Sequence, residues 1–174
     1  FGILKRLRGT SITRHTQGYA MAYDPQTPYT ILQTGVIDFS VMQRIQRFAR
    51  YWEMIANAGR LARSLKLLLE PGSAFGHFLD FSDWLWQTTG KTHEFAYEKL
   101  LDLLCEHLVA TRAFNADVVT AALLADYRAS GARGRPQCLA KTGNADKSLL
   151  TVSTNKPRSE RQGRHANQYA HRDA

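Results

Sequence analysis

The chain has 174 residues, about one domain by length, of which 44% are apolar and 10% aromatic, with a formal net charge of +8. Its two cysteines, Cys105 and Cys138, exclude a disulfide framework and a Cys-rich metal site. No window approaches the ~18 consecutive apolar residues of a membrane span, no signal-peptide pattern is read, and a cytoplasmic setting is expected.

The first residue is Phe1. FGIL is strand-like and has no strand partner close by in sequence, so it is expected to be an orphan strand at the edge of something longer. A basic turn follows, Lys5, Arg6 and Arg8, then Gly9 and Thr10. In α/β folds, ligand contacts gather where a strand gives way to its loop. Residues 5–11 are such a place if the strand belongs to a barrel, and a frayed cationic terminus otherwise.

Over residues 17–34, QGYAMAYDPQTPYTILQT, alternating Tyr19, Met21 and Tyr23 precede the turn-prone DPQTP, and Tyr29, Ile31 and Leu32 resume the apolar character. This predicts a hairpin or two extended segments around a Pro-bounded turn.

The clearest element is residues 38–59, DFSVMQRIQRFARYWEMIANAG. Val41, Ile45, Phe48, Trp52 and Ile55 recur at steps of three and four, widened by Met42 and Ala49, the period of a helix burying one face. Ser40 with Gln43 reads as a capping box and Gly59 as a terminator. The opposite face carries Arg44, Arg47 and Arg50. Four more helices are expected: residues 61–69; 74–89, opened by Ser73, closed by Gly90 and burying Phe75, Phe78, Leu79, Leu85 and Trp86; a helix from Thr92, with Tyr97, Leu100, Leu101, Leu104 and Leu108 inward and Glu94, Glu98, Asp102 and Glu106 outward; and residues 115–131, opened by Asn115. The fold class is therefore mainly α, an antiparallel bundle of about five helices preceded by the orphan strand and the hairpin. Residues 132–174 lack periodicity and are polar and basic, so a disordered tail is expected.

The charge is uneven. From Arg128 onward ten Lys/Arg face three Asp/Glu, a local +7, while residues 1–127 carry only +1. Residues 70–127 hold nine acidic groups against Lys91, Lys99 and Arg112. Pairing between the basic first helix and the acidic later ones is favoured over a nucleic-acid face.

Signatures of catalysis are weak. His77 with Asp80, and Cys105 with His107, supply two ligands where a zinc site needs three or four. Cys105 has no base presented to it, since a residue at i+2 on a helix points elsewhere, and reads as a small core hydrophobe. Asp80 with Asp83 and Glu94 with Glu98 are pairs that surface helix faces generate routinely. No P-loop or dinucleotide fingerprint is found.

The order of these pieces is more specific. The run FGILKRLRGTSITRHT, then YAMAYDPQTPYTILQT, then DFSVMQRIQRFARYWEMIANAGR resembles the end of the catalytic barrel plus the C-terminal domain of unknown function in bacterial cobalamin-binding radical SAM proteins. The resemblance covers about residues 1–127 and is most specific at LKRLRGT, PYTIL and residues 48–52, Phe-Ala-Arg-Tyr-Trp. It implies a parent with a cobalamin-binding domain and a barrel whose CxxxCxxC motif holds a 4Fe-4S cluster that cleaves S-adenosylmethionine. None of those motifs stands in this chain.

By this resemblance residues 1–16 are the end of the barrel, 17–131 an accessory helical domain and 132–174 the tail. The chain is non-catalytic, carries no cofactor itself, and has the parent's barrel and cobalamin domain as partners. Only Gly9 and Thr10 match a stretch that lies near S-adenosylmethionine in related families; Arg8 and Ser11 replace its prolines. The alternative is a basic helical module that binds nucleic acid or protein.

Overall fold

The computed structural model describes residues 2–140, which form a mainly helical unit with a small sheet at its N-terminal end. The expected tail reading from residue 141 onward lies outside the described residues.

Strands β1 (Ala22–Tyr23) and β2 (Ile31–Gln33) pair antiparallel as the predicted hairpin, with the DPQTP turn between them. The N-terminal segment is not an orphan. Lys5 bridges Thr30, Ile31 N donates to Leu4 O at 2.9 Å and Arg6 N to Tyr29 O at 3.0 Å, so it forms a third, short antiparallel rung. The partner lies some 25 residues on, beyond the reach of a local pattern, and it satisfies backbone groups that an isolated strand leaves open.

Helix α1 (Phe39–Trp52) continues into a π turn at Glu53–Asn57, and Gly59, at φ +69°, ends it. Its cap is Asp38, whose Oδ1 accepts from Val41 N at 2.9 Å; Ser40 donates its hydroxyl to that carboxylate instead of capping. The hydrogen bond from Val41 N, then that from Ser40, holds the Asp38 carboxyl below its usual range. The buried face is Met42, Phe48, Tyr51 and Ile55, whereas Val41 is exposed. The stripe is thus rotated towards Tyr51, whose hydroxyl donates to Lys91 O at 2.6 Å. A phenol can be buried on a core face when its oxygen has a partner.

Helices α2 (Ala62–Leu69), α3 (Ala74–Thr89), α4 (Tyr97–Glu106, extended by a π turn at His107–Thr111) and α5 (Ala116–Ser130) complete the bundle, with a last turn α6 (Gln137–Ala140). Ser73 and Asn115 cap α3 and α5 as predicted, and Gly90 and Gly131 end them in the left-handed conformation. Helix α3 packs on α1 and α2, and α5 on α2 and α4. Phe78, Phe81 and Leu85 of α3 meet Phe48 and Tyr51 of α1 and the leucines of α4 in one core. Phe75 and Trp86, expected inside, are exposed; Phe81, one turn from Phe78, takes the central position.

Helix α4 starts at Tyr97, not Thr92. Glu94 adopts φ +61°, which breaks a helical run, and Phe95 turns in against Tyr51 with ring centroids 6.4 Å apart. Residues 132–140 also differ from the expected loose tail. Pro136 is buried, Gly134 O accepts from the Tyr127 hydroxyl at 2.6 Å, and Cys138 N donates to Asp102 Oδ1 at 2.8 Å, which turns Asp102 inward.

The arginine face of α1 is largely taken up by α3. Arg44 forms an ion pair with Asp83, its Nε 2.7 Å from the carboxylate, and Arg47 lies over the Trp86 ring at 5.1 Å. Arg50 is exposed. The Arg44 pair is itself partly exposed and contributes little, ~0–1 kcal/mol. Arg47→Glu, which removes the cation from the indole face and buries part of a carboxylate there, is expected to cost about 1–2 kcal/mol and lower the melting temperature by roughly 3–6 °C. An unchanged melting temperature would show that the contact with Trp86 adds no net stability and would point outward to a partner.

Candidate functional site

Four places in the described residues combine polar chemistry with burial or concavity. The first is Asp126 on α5, only 3% exposed. Its Oδ1 accepts from Arg63 N at 3.1 Å and its Oδ2 from both Ser64 N and Ser64 Oγ at 2.8 Å. Helix α2 has no cap of its own, and this carboxylate supplies one from another helix. A cavity of about 440 Å³ beside it is lined by Gly59, Arg60, Arg63 and Ser130 among others. Both carboxylate oxygens are already engaged and Arg60 rests over the Tyr97 ring at 4.4 Å, so this concavity follows from helix capping.

The second place is His107, 1% exposed, in the π turn after α4. Its ring stands edge-on to Phe81 and tilted to Trp84, each 5.0 Å away, and neither ring nitrogen meets a protein partner. Burial, then the Arg112 charge, lowers its pKa from 6.5 to about 4, with Asp80 opposing. The imidazole is neutral at physiological pH and works as a packing ring.

The third is the thiol pair. Cys105 on α4 and Cys138 on α6 are both free and half-buried, and burial is the main cause that pushes both thiols up, which keeps them protonated. Cys105 is a packing residue, as predicted, and Cys138 joins it against the core. His77 is separate, its Nε2 2.6 Å from Pro71 O. Among the described residues no three His, Cys, Asp or Glu side chains gather to hold a metal. An iron–sulfur cluster taking three thiolates does not fit a chain whose two cysteines are protonated and packed.

The fourth lies at the N-terminal turn. Gly9, at φ +76°, and Thr10 close it: Leu7 O accepts from Thr10 N at 3.3 Å and from Thr10 Oγ1 at 2.7 Å. The turn presents a cavity of about 260 Å³ lined by Arg6, Leu7, Arg8, Thr13 and Tyr29. Gly9 and Thr10, the predicted positions, shape the turn and are not among the lining residues. Tyr29 comes from the hairpin. Only the bridge between residues 5 and 30 brings it here, which is why the sequence did not mark it.

With that geometry established, comparison with known proteins gives a family. Residues 17–172 match the family described as protein of unknown function (DUF4080). The chain belongs to it. The matched span of the DUF4080 domain takes in the hairpin, all six helices and the residues after them. No curated protein and no solved structure matches the chain. No helix among the described residues is long and apolar enough to cross a membrane.

Proposed function

We propose that this DUF4080 domain is the accessory C-terminal part of a cobalamin-dependent radical SAM enzyme. It is non-catalytic itself, docks on that enzyme's barrel and covers the substrate there. The observation that carries the docking reading is the distribution of exposed apolar surface. Of the nine large hydrophobic residues exposed among the described residues, six lie between residues 4 and 41: Leu4, Leu7, Tyr19, Val36, Phe39 and Val41. Val36 is 94% exposed. These come from the N-terminal segment, the hairpin and the first turn of α1, the end at which the resemblance puts the barrel. This concentration of exposed apolar side chains in one stretch of the chain supports an interaction face there.

The buried polar groups support a structural role. Asp126 caps a helix, His107 packs, and both thiols are held protonated. The cluster, S-adenosylmethionine and cobalamin then belong to the barrel and the cobalamin domain of the parent. The nucleic-acid alternative is weakened because α3 engages Arg44 and Arg47.

The test uses the full gene product. Its sequence upstream of Phe1 should contain CxxxCxxC, and amide hydrogen exchange over residues 17–41 should slow at least tenfold relative to the chain alone. An upstream region without that motif overturns the enzyme assignment. Equal exchange in the two proteins overturns the docking face.

A further inference from the structure

We infer that the cavity between the N-terminal turn and the hairpin binds the phosphate group of a small organic phosphate. Its walls bring Arg6 and Arg8 together with Thr13 and Tyr29 around about 260 Å³. That space, below the ~300 Å³ of the smallest usual ligand pockets, accommodates an anionic head group while the remainder of a ligand extends outward.

The charge there is unbalanced. Lys5, Arg6, Arg8 and Arg14 fall within ten residues, and no acidic residue precedes Asp24. Among the described residues the ion pairs are Arg44 with Asp83 and His93 with Glu94, so none of these four cations forms an ion pair there. Arg6 is held over the Tyr23 ring, its guanidinium carbon 5.4 Å from the centroid, a contact that orients the group without discharging it. A guanidinium has five donors and no acceptor, in a fork that fits two phosphate oxygens. Arg6 and Arg8 both line the cavity, and a phosphate dianion offsets two positive charges where a carboxylate offsets one.

The backbone of the opposite wall is strained. Tyr29 is not glycine, yet it adopts φ +57°. It is fixed there from both sides: Tyr29 N donates to Gln26 O at 2.7 Å, and Tyr29 O accepts from Arg6 N at 3.0 Å. The second of these bonds ties the strained residue directly to a cavity arginine. A left-handed, non-glycine residue persists where the surroundings over-determine it, and ligand sites are among the places that hold one.

The test is titration calorimetry of the full chain with inorganic phosphate, AMP and acetate at low ionic strength. Phosphate and AMP are expected to bind, acetate at least tenfold more weakly. Arg8→Gln should weaken phosphate and AMP about tenfold or more while leaving the melting temperature unchanged, because its side chain is exposed. Arg6→Gln should weaken them as much and lower the melting temperature by about 1–3 °C, because it also loses the Tyr23 contact. The proposal is overturned by any of three results: no binding up to about 10 mM ligand, acetate binding as well as phosphate, or phosphate binding that persists in both variants. The third would move the site to other cations, such as those after Arg128. The inference is independent of the docking reading, since the chain alone is titrated.

Discussion

Asp126→Ala is expected to lower the stability of the domain by about 3 kcal/mol, the largest effect of any single polar substitution in the described residues. The carboxylate receives three hydrogen bonds, from Arg63 N, Ser64 N and Ser64 Oγ. Alanine leaves two backbone donors and a hydroxyl without protein partners, and Ser64 is fully buried, so water from the adjoining cavity replaces the carboxylate only at the exposed Arg63 N. The two bonds from Arg63 N and Ser64 N are together the cap of α2, worth about 1 kcal/mol, and the charge-assisted bond from Ser64 Oγ adds about 1.5–2. The loss also uncouples α2 from α5, two helices that pack directly on each other. In urea unfolding the midpoint should fall by roughly 1.5–2 M with an unchanged slope. Asp126→Asn retains one acceptor oxygen and should lose about half as much. A midpoint shift below about 0.5 M for the alanine variant would mean that α2 holds its first turn without Asp126.

Acidification is expected to act through His107. Its pKa is about 4 in the folded chain against 6.5 when unfolded. Between those values the unfolded state binds the extra proton, so stability rises with pH there. The contribution is fully present above about pH 6.5, falls as pH drops towards 4, and levels off below it. About 2.5 kcal/mol should be gone by pH 4.5. Carboxylates begin to titrate in the same range, including Asp38, whose folded pKa is lowered and which therefore adds a loss of the same sign at still lower pH. His107→Leu separates the two causes. Leucine fits among Phe81, Trp84 and Leu108 without a proton site, so the drop in stability between pH 7.5 and 4.5 should shrink by about 2 kcal/mol in the variant. Equal drops in the two proteins would mean that the imidazole reaches water or a partner in the folded state.

The two substitutions also show how the bundle is assembled. Helix α2 has only eight residues and no side-chain cap of its own at its N-terminus. Asp126 closes its N-terminus, and Arg112 donates from Nη1 to Leu68 O at 3.0 Å and from Nη2 to Glu70 O at 3.3 Å at its C-terminus. Eight residues are too few for an isolated helix to persist in water. Side chains from α5 and from the turn after α4 therefore complete it, and its start and stop cannot be found by searching the residues next to it.

The amino-acid sequence by itself determined the helix count up to α5, the caps of α3 and α5, the glycine stops at Gly59, Gly90 and Gly131, and the hairpin around DPQTP. These depend on neighbours within one turn, so the pattern is local and legible. The resemblance pointed to the N-terminal turn and named Gly9 and Thr10, which shape that turn through Leu7 O. Tertiary structure decided the rest. Tyr51 replaced Val41 on the core face because Lys91 O, forty residues away, accepts its hydroxyl. Residues 132–140 closed onto α4 and α5 because Asp102, Tyr127 and Cys105 receive them. Gly134 suits that path, since a Cβ there would run into the Glu98 carboxylate. The cavity at the N-terminal turn needed Tyr29, which reaches Arg6 only through the pairing of residues 4–6 with 29–31. Except for Tyr127 and Gly134, seven residues apart, the deciding partner lies some 25 to 40 residues away, and periodicity within a helix or strand carries no information about it.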